Sequence, residues 1–107
     1  MVAYKSATFR QCDQLFGSGA VILDAQSLRA STVGADRVYH LAGKLGTSEL
    51  DDEVLAGIQI NIIGAVNVFA ASIENCVPVV FYPSKPDVWL NTYTITKFAS
   101  KQFAQLY

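Results

Sequence analysis

Two short apolar runs, Arg37-Val38-Tyr39-His40-Leu41-Ala42 and Val79-Val80-Phe81-Tyr82, flank one long stretch from about Asp52 to Asn75 with helical spacing of its apolar residues. A strand, a helix of many turns and a second strand in succession admit few folds. Parallel strands need a long crossover between them, and a helix is the usual one. Other segments extend the alternation. Thr8 to Phe16 fits a short helix stopped by Gly17-Ser18-Gly19, since glycine accepts left-handed helix-stop geometry. Ala20-Val21-Ile22-Leu23 reads as a strand buried on both faces. Asp24 is an N-cap for a helix over Ala25 to Ser31. A last helix runs from Asn91 or Tyr93 towards Tyr107. The expected class is α/β, a layered sandwich about a parallel sheet, with strands near 20–23, 37–42 and 79–83.

The long helix carries Val54, Leu55, Ile58, Ile62, Ile63, Val66, Phe69 and Ile73. These cover more than one stripe, so it should be buried on two sides. Asp51, Asp52 and Glu53 suit its start, where the helix dipole favours negative charge. A chain of 107 residues supports one domain. Its mean hydropathy of +0.29 is high for a small domain with poor surface-to-volume ratio, as expected of an inner layer of something larger.

Composition excludes several functions. With net charge −1 and no basic cluster, the chain lacks the patch that displaces counterions from nucleic acid. The richest apolar stretch, Ile58 to Ser72, is interrupted by Gln59, Asn61 and Asn67, and falls short of the roughly 20 residues of a membrane span. The N-terminus lacks the apolar core of a secretory signal. Cys12 and Cys76 match no metal or redox spacing and read as buried or idle thiols in a reducing cytoplasm, and no metal site is expected.

In open parallel sheets ligands lie at the carboxyl ends of the strands. Leu23-Asp24, His40-Leu41-Ala42-Gly43 and Tyr82-Pro83-Ser84 fall there. Gly43 has no side chain to block a flat ligand. Tyr93-Thr-Ile-Thr-Lys97 opens the last helix, and residues four apart share a helical face. A phenol and an ammonium can therefore address one site, where positive charge favours the phenolate and makes it usable as an acid/base. Ser84 is placed to hydrogen-bond the same substrate oxygen. Without context, Tyr93 and Lys97 read first as an exposed surface pair. His40 reads first as a strand-end histidine satisfied by backbone, and Asn61 and Asn67 read equally as polar residues bonding across buried helices.

Taken together, His40-Leu-Ala-Gly43, Asn61-Ile-Ile-Gly64-Ala-Val-Asn67, Val79-Val-Phe-Tyr-Pro-Ser84 and Tyr93-x-x-x-Lys97 resemble the extended short-chain dehydrogenase/reductase family, in its order and nearly at its spacings. The branch they look most like is that of the NAD-dependent epimerases and dehydratases acting on sugar nucleotides, including UDP-galactose 4-epimerase. The resemblance runs from about Ala20 to Tyr107. It implies part of a Rossmann-type doubly wound sheet and NAD as cofactor, with NADP open. It implies that Leu41, Ala42, Gly43 and Lys44 line the dinucleotide cleft and that Asn61 stands beside the cofactor. Tyr93 would be the acid/base, Lys97 would hold the nicotinamide ribose, and Ser84 would orient the sugar hydroxyl. The implied reaction removes a hydride from a nucleotide-sugar carbon and returns it. A homodimer through the helices at 52–75 and 93–107 is implied as well.

The chain departs from that pattern. It holds no Gly-x-x-Gly-x-x-Gly turn, the element that seats pyrophosphate at a helix N-terminus. Val21 stands where many relatives carry an aspartate, although Asp24 follows. Only eight residues separate Ser84 from Tyr93. The expectation is a partial NAD(P)-binding domain over 1–107 that lacks the first two strands and the substrate lobe and is inactive alone. Without those strands, sheet edges would be left open. The alternative is a non-catalytic interaction module of the same fold, pairing through Ile62, Val66, Phe69 and Ile73 beside Phe98, Phe103 and Leu106.

Overall fold

The computed structural model describes residues 2–4, 22–45, 53–84 and 90–107. Their elements are β1 (Val2–Tyr4), α1 (Ala25–Thr32), β2 (Arg37–Tyr39), α2 (Val54–Glu74), β3 (Val79–Phe81) and α3 (Thr92–Ala104). β2 and β3 are parallel, with Val38 opposite Val80, and α2 is the crossover between them. This is the unit that the two apolar runs and the long helix require.

Each helix has a local reason for its bounds. Asp24 caps α1 as expected, its carboxylate accepting from the peptide N–H groups of Gln26 and Ser27 at 3.1 and 3.3 Å and from the Ser27 hydroxyl at 2.8 Å. These bonds hold the exposed Asp24 carboxyl below its ordinary ionisation range. Asn91 caps α3, accepting from Thr94 N–H at 2.8 Å. α2 ends where Cys76 turns to φ 53°. There Cys76 N–H donates to Ile73 O at 3.0 Å and Val77 N–H to Ser72 O at 2.8 Å, the paired bonds of a left-handed helix stop. Cys76 is a free thiol and exposed, contrary to the buried alternative, and Cys12 lies outside the described residues.

Two expectations need correction. Ile22 is helical and Leu23 a turn, so no strand forms there; Ala20 and Val21 lie outside the described residues, as does the helix expected over 8–16. Ile22 instead packs with Leu28, Ala35, Val38, Val68 and Ala71, the core between sheet and helices. Its carbonyl accepts from Asn67 Nδ2 at 3.1 Å. Second, the edge of β2 is not open. β1, a segment the sequence pattern did not mark, pairs with it antiparallel, Ala3 opposite Val38. Any extended segment can satisfy the backbone groups of an edge, whatever its side chains.

α2 packs against α1 on one side and α3 on another, as its wide apolar surface requires. Its 21 residues are long and apolar enough to cross a bilayer by length and composition, contrary to the shorter stretch read from sequence. Its polar residues Asn61 and Asn67 are both bonded to other segments of the chain. The helix is also not uniform: Gln59–Ile63 makes one wide π turn between two α-helical parts. Such turns are rare and recur at functional sites.

Candidate functional site

The carboxyl ends of β2 and β3 meet the π turn of α2 and the first turns of α3. Side chains bury there for a readable reason. Thr92, Thr96 and Ser100 recur every four residues along α3 and are all buried. Small hydroxyl residues on one stripe let α3 approach α2 closely. Thr96 and Ser100 can also turn their hydroxyls back onto the helix: Thr96 Oγ1 donates to Thr92 O at 2.7 Å and Ser100 Oγ lies 2.9 Å from Thr96 O. Ser100 Oγ also bonds the carbonyl of Asn61, at the wide turn of α2.

Asn61 is buried at this junction and its amide is fully used. Its Oδ1 accepts from Lys44 N–H at 2.7 Å, and its Nδ2 donates to Lys44 O at 3.2 Å and Thr96 Oγ1 at 3.0 Å. The loop after β2 is thereby tied to α2 and α3 at once. Lys44's own side chain turns outward to pair with Glu53.

Lys97 is 3% exposed and reaches from α3 across the strand ends. Its Nζ donates to Ala42 O at 3.2 Å and stands 4.9 Å from the centre of the Tyr82 ring. Burial lowers the basicity of its amine. Gly43 makes the approach possible: a Cβ there would lie 3.0 Å from Lys97 Nζ and 3.2 Å from Asn61 Oδ1. Ala42, Gly43, Lys44, Asn61 and Lys97 thus form one cluster. Leu41, next to this cluster in sequence, is 61% exposed.

The two remaining expected residues are less tied. Tyr93 is half-buried on the first turn of α3, one turn before Lys97. Ser84 is half-buried after β3, and among the described residues no hydrogen bond joins it to Tyr93 or Lys97. The structure therefore brings the lysine and the loop together, and leaves Ser84 outside that network.

Two residues were missed or misread. Tyr82 forms the floor under Lys97, with its hydroxyl 3.4 Å from Lys97 O. Its phenol ionises less readily than usual because it is buried, with the Ser100 hydroxyl acting in the opposite sense and the charge of Tyr93 adding to the effect. Its place at the end of an apolar run before Pro83 marked it only as a strand residue. His40 was expected to be satisfied by backbone. Its peptide N–H does donate to Phe81 O at 2.9 Å, but neither ring nitrogen has a partner among the described residues. The ring stacks on Tyr82 at 5.5 Å and meets the edge of Phe69 at 6.4 Å. Burial, reinforced by the Lys97 charge, pushes it down to about 3, so it is neutral near pH 7.

The fold that carries this site has counterparts among solved structures. Pen from Bacillus thuringiensis superposes with a TM-score of 0.71 and 26% identity, over 77% of this chain and 26% of its own. UDP-glucose 4-epimerase from Thermotoga maritima, solved with UDP-glucose, gives 0.66 and 20%, over 79% of this chain and 34% of its own. The dTDP-4-dehydrorhamnose reductase of Bacillus anthracis, solved with NADP, gives 0.67 and 22%, over 79% and 36%. The chain has the fold of the extended short-chain dehydrogenase/reductases. It spans between 26% and 36% of the length of these three proteins. No family model and no curated protein matches the sequence. Within the extended short-chain dehydrogenase/reductase fold, β2, α2, β3 and α3 are a contiguous βαβα piece of the Rossmann-type layer.

Proposed function

We propose that the chain is the nicotinamide-ribose side of an NAD(P)-dependent enzyme that epimerises or reduces a sugar nucleotide. One observation carries this reading: a buried lysine, one turn after a tyrosine, held at the carboxyl end of a parallel strand by a single hydrogen-bond acceptor among the described residues. An ammonium has three donors, so Lys97 retains hydrogen-bonding capacity for ribose hydroxyls. Gly43 leaves the space beside it clear. The residues present fit the ribose end of a dinucleotide, whereas the sequence holds no glycine-rich turn for the pyrophosphate. A nicotinamide dinucleotide held there would supply the acceptor and donor of a hydride at a sugar carbon. Tyr93 Oη takes up the proton of that carbon's hydroxyl and returns it. Lys97 orients the ribose and places positive charge near Tyr93, and Ser84 steadies the sugar oxygen. Ala42, Gly43, Lys44 and Asn61 line the cleft. The solved neighbours named with UDP-glucose and NADP support the substrate and cofactor classes.

The test is a titration of the chain with NADH, followed by nicotinamide fluorescence. We expect weak saturable binding that Lys97→Met reduces about 10- to 100-fold, the worth of hydrogen bonds to a charged group. No binding by a cooperatively folded chain refutes the ribose-end reading. Turnover is expected only in a full-length enzyme, where Tyr93→Phe abolishes it with the fold intact.

A second reading has its own observation. Ile63 and Ile73 on α2, and Ile95, Phe103 and Leu106 on and after α3, are exposed. They suit self-association as a homodimer, with or without catalysis. Phe69, also named for that surface, is buried against Tyr82 and Tyr107 and does not contribute. Dimerisation that persists in Tyr93→Phe, with no effect of cofactor, favours the interaction module; a monomer at all concentrations removes it.

A further inference from the structure

His40 holds the buried side-chain atoms that lack a hydrogen-bond partner among the described residues, Nδ1 and Nε2. Each unmade bond of that kind weakens a folded state about 5- to 150-fold. A neutral imidazole carries one donor and one acceptor. The ring's neighbours offer neither: Tyr82 presents its face at 5.5 Å and Phe69 its edge at 6.4 Å.

Lys97, over the same Tyr82 ring, also has unused capacity among the described residues. Of its three N–H donors, one meets Ala42 O, two residues beyond His40 on the same strand. The ammonium lies over Tyr82, the ring on which His40 stacks. The two groups therefore converge on one aromatic ring, both closed off from solvent. They are complementary, because a neutral imidazole has a lone pair and an ammonium has spare protons. Bulk water cannot reach them, and an internal water with two to four polar partners is the usual answer to such a pair.

We propose that one internal water bridges His40 and Lys97 Nζ at the carboxyl ends of β2 and β3, which makes His40 a positioning residue for Lys97. The water accepts from the ammonium and donates to the unprotonated ring nitrogen. The neutrality of the ring, set by burial and by the Lys97 charge, is what leaves that nitrogen free to accept. The charged or ionisable groups acting here are Lys97 from α3, the N-terminal ammonium, Tyr82 from the end of β3 and, beyond it, Tyr93. No bound cofactor is required for this bridge.

The test is nitrogen-15 NMR of the 107-residue chain, with Lys97→Met identifying the Lys97 ammonium signal. We expect a water cross-peak to the His40 ring protons. We expect the Lys97 ammonium protons to exchange with bulk at least tenfold faster in His40→Phe than in the parent chain. Phenylalanine fills the same space, so a residue that only packs would leave that exchange unchanged. His40→Gln, which restores an acceptor, should return exchange towards the parent rate. Unchanged ammonium exchange in His40→Phe, a missing water cross-peak, or glutamine behaving as phenylalanine overturns the proposal. The NADH titration reads the cofactor proposal separately, so either can fail without the other.

Discussion

Acid should destabilise this chain through His40 by more than its carboxylates alone would. His40 ordinarily titrates at 6.5, and in the folded chain it is pushed down to about 3, first by burial and then by Lys97. Its folded-state value is depressed, so the associated stability is present above pH 6.5 and is lost as pH falls towards 3. In that window the unfolded chain takes up a proton that the folded chain refuses. Each pH unit is worth about 1.36 kcal/mol. At pH 4.5 the loss is about 3 kcal/mol, a large part of the roughly 5–15 kcal/mol expected of a domain this size. The assay is urea denaturation followed by far-ultraviolet circular dichroism at pH 7.0 and 4.5, on the parent chain and His40→Phe. With a slope of about 1.5 kcal/mol per molar, the parent midpoint should fall by about 2 M. The variant should keep most of its midpoint, because phenylalanine occupies the aromatic niche and does not titrate. Carboxylates such as Asp24 titrate in both chains and cancel in the difference. Equal midpoint losses in the two chains, or an imidazole seen by NMR to titrate near 6.5 in the folded state, would refute this reasoning.

Other outcomes follow from the same geometry. Gly43→Ala places a Cβ 3.0 Å from Lys97 Nζ and 3.2 Å from Asn61 Oδ1. Asn61 is held by three bonds, so Lys97 gives way; we expect a stability change under about 1 kcal/mol but loss of NADH binding in the fluorescence titration. Lys97→Met removes a buried amine whose charged form is penalised by burial, so the thermal midpoint at pH 7 should rise even as cofactor binding falls. That penalty is fully present below the folded-state value and is relieved as pH rises towards 10.5, so the gain should shrink in alkaline buffer. Cys76→Gly relieves the left-handed conformation at the end of α2 and should stabilise the chain by about 1 kcal/mol in urea denaturation.

The sequence by itself determined the elements with local causes. Alternating apolar runs and a long helical period set β2, α2 and β3, because each pattern buries one kind of surface only. Asp24 marked the start of α1, because a carboxylate satisfies N–H groups two and three residues ahead of it. The four-residue spacing placed Tyr93 and Lys97 on consecutive turns of α3. What only the tertiary structure decided were the relations between distant segments. Ile22 looked like a strand residue and became a helical core residue, because an apolar run of four does not specify its backbone. The pairing of β1 with β2 uses backbone groups that every residue carries, so no pattern announces it. The convergence of Lys97, Ala42, Gly43 and Asn61 joins positions up to 55 residues apart. Whether His40 is satisfied or stranded depends on the faces that Tyr82, Phe69 and Lys97 turn towards it, and those orientations are set by packing, on which the sequence of a strand end is silent.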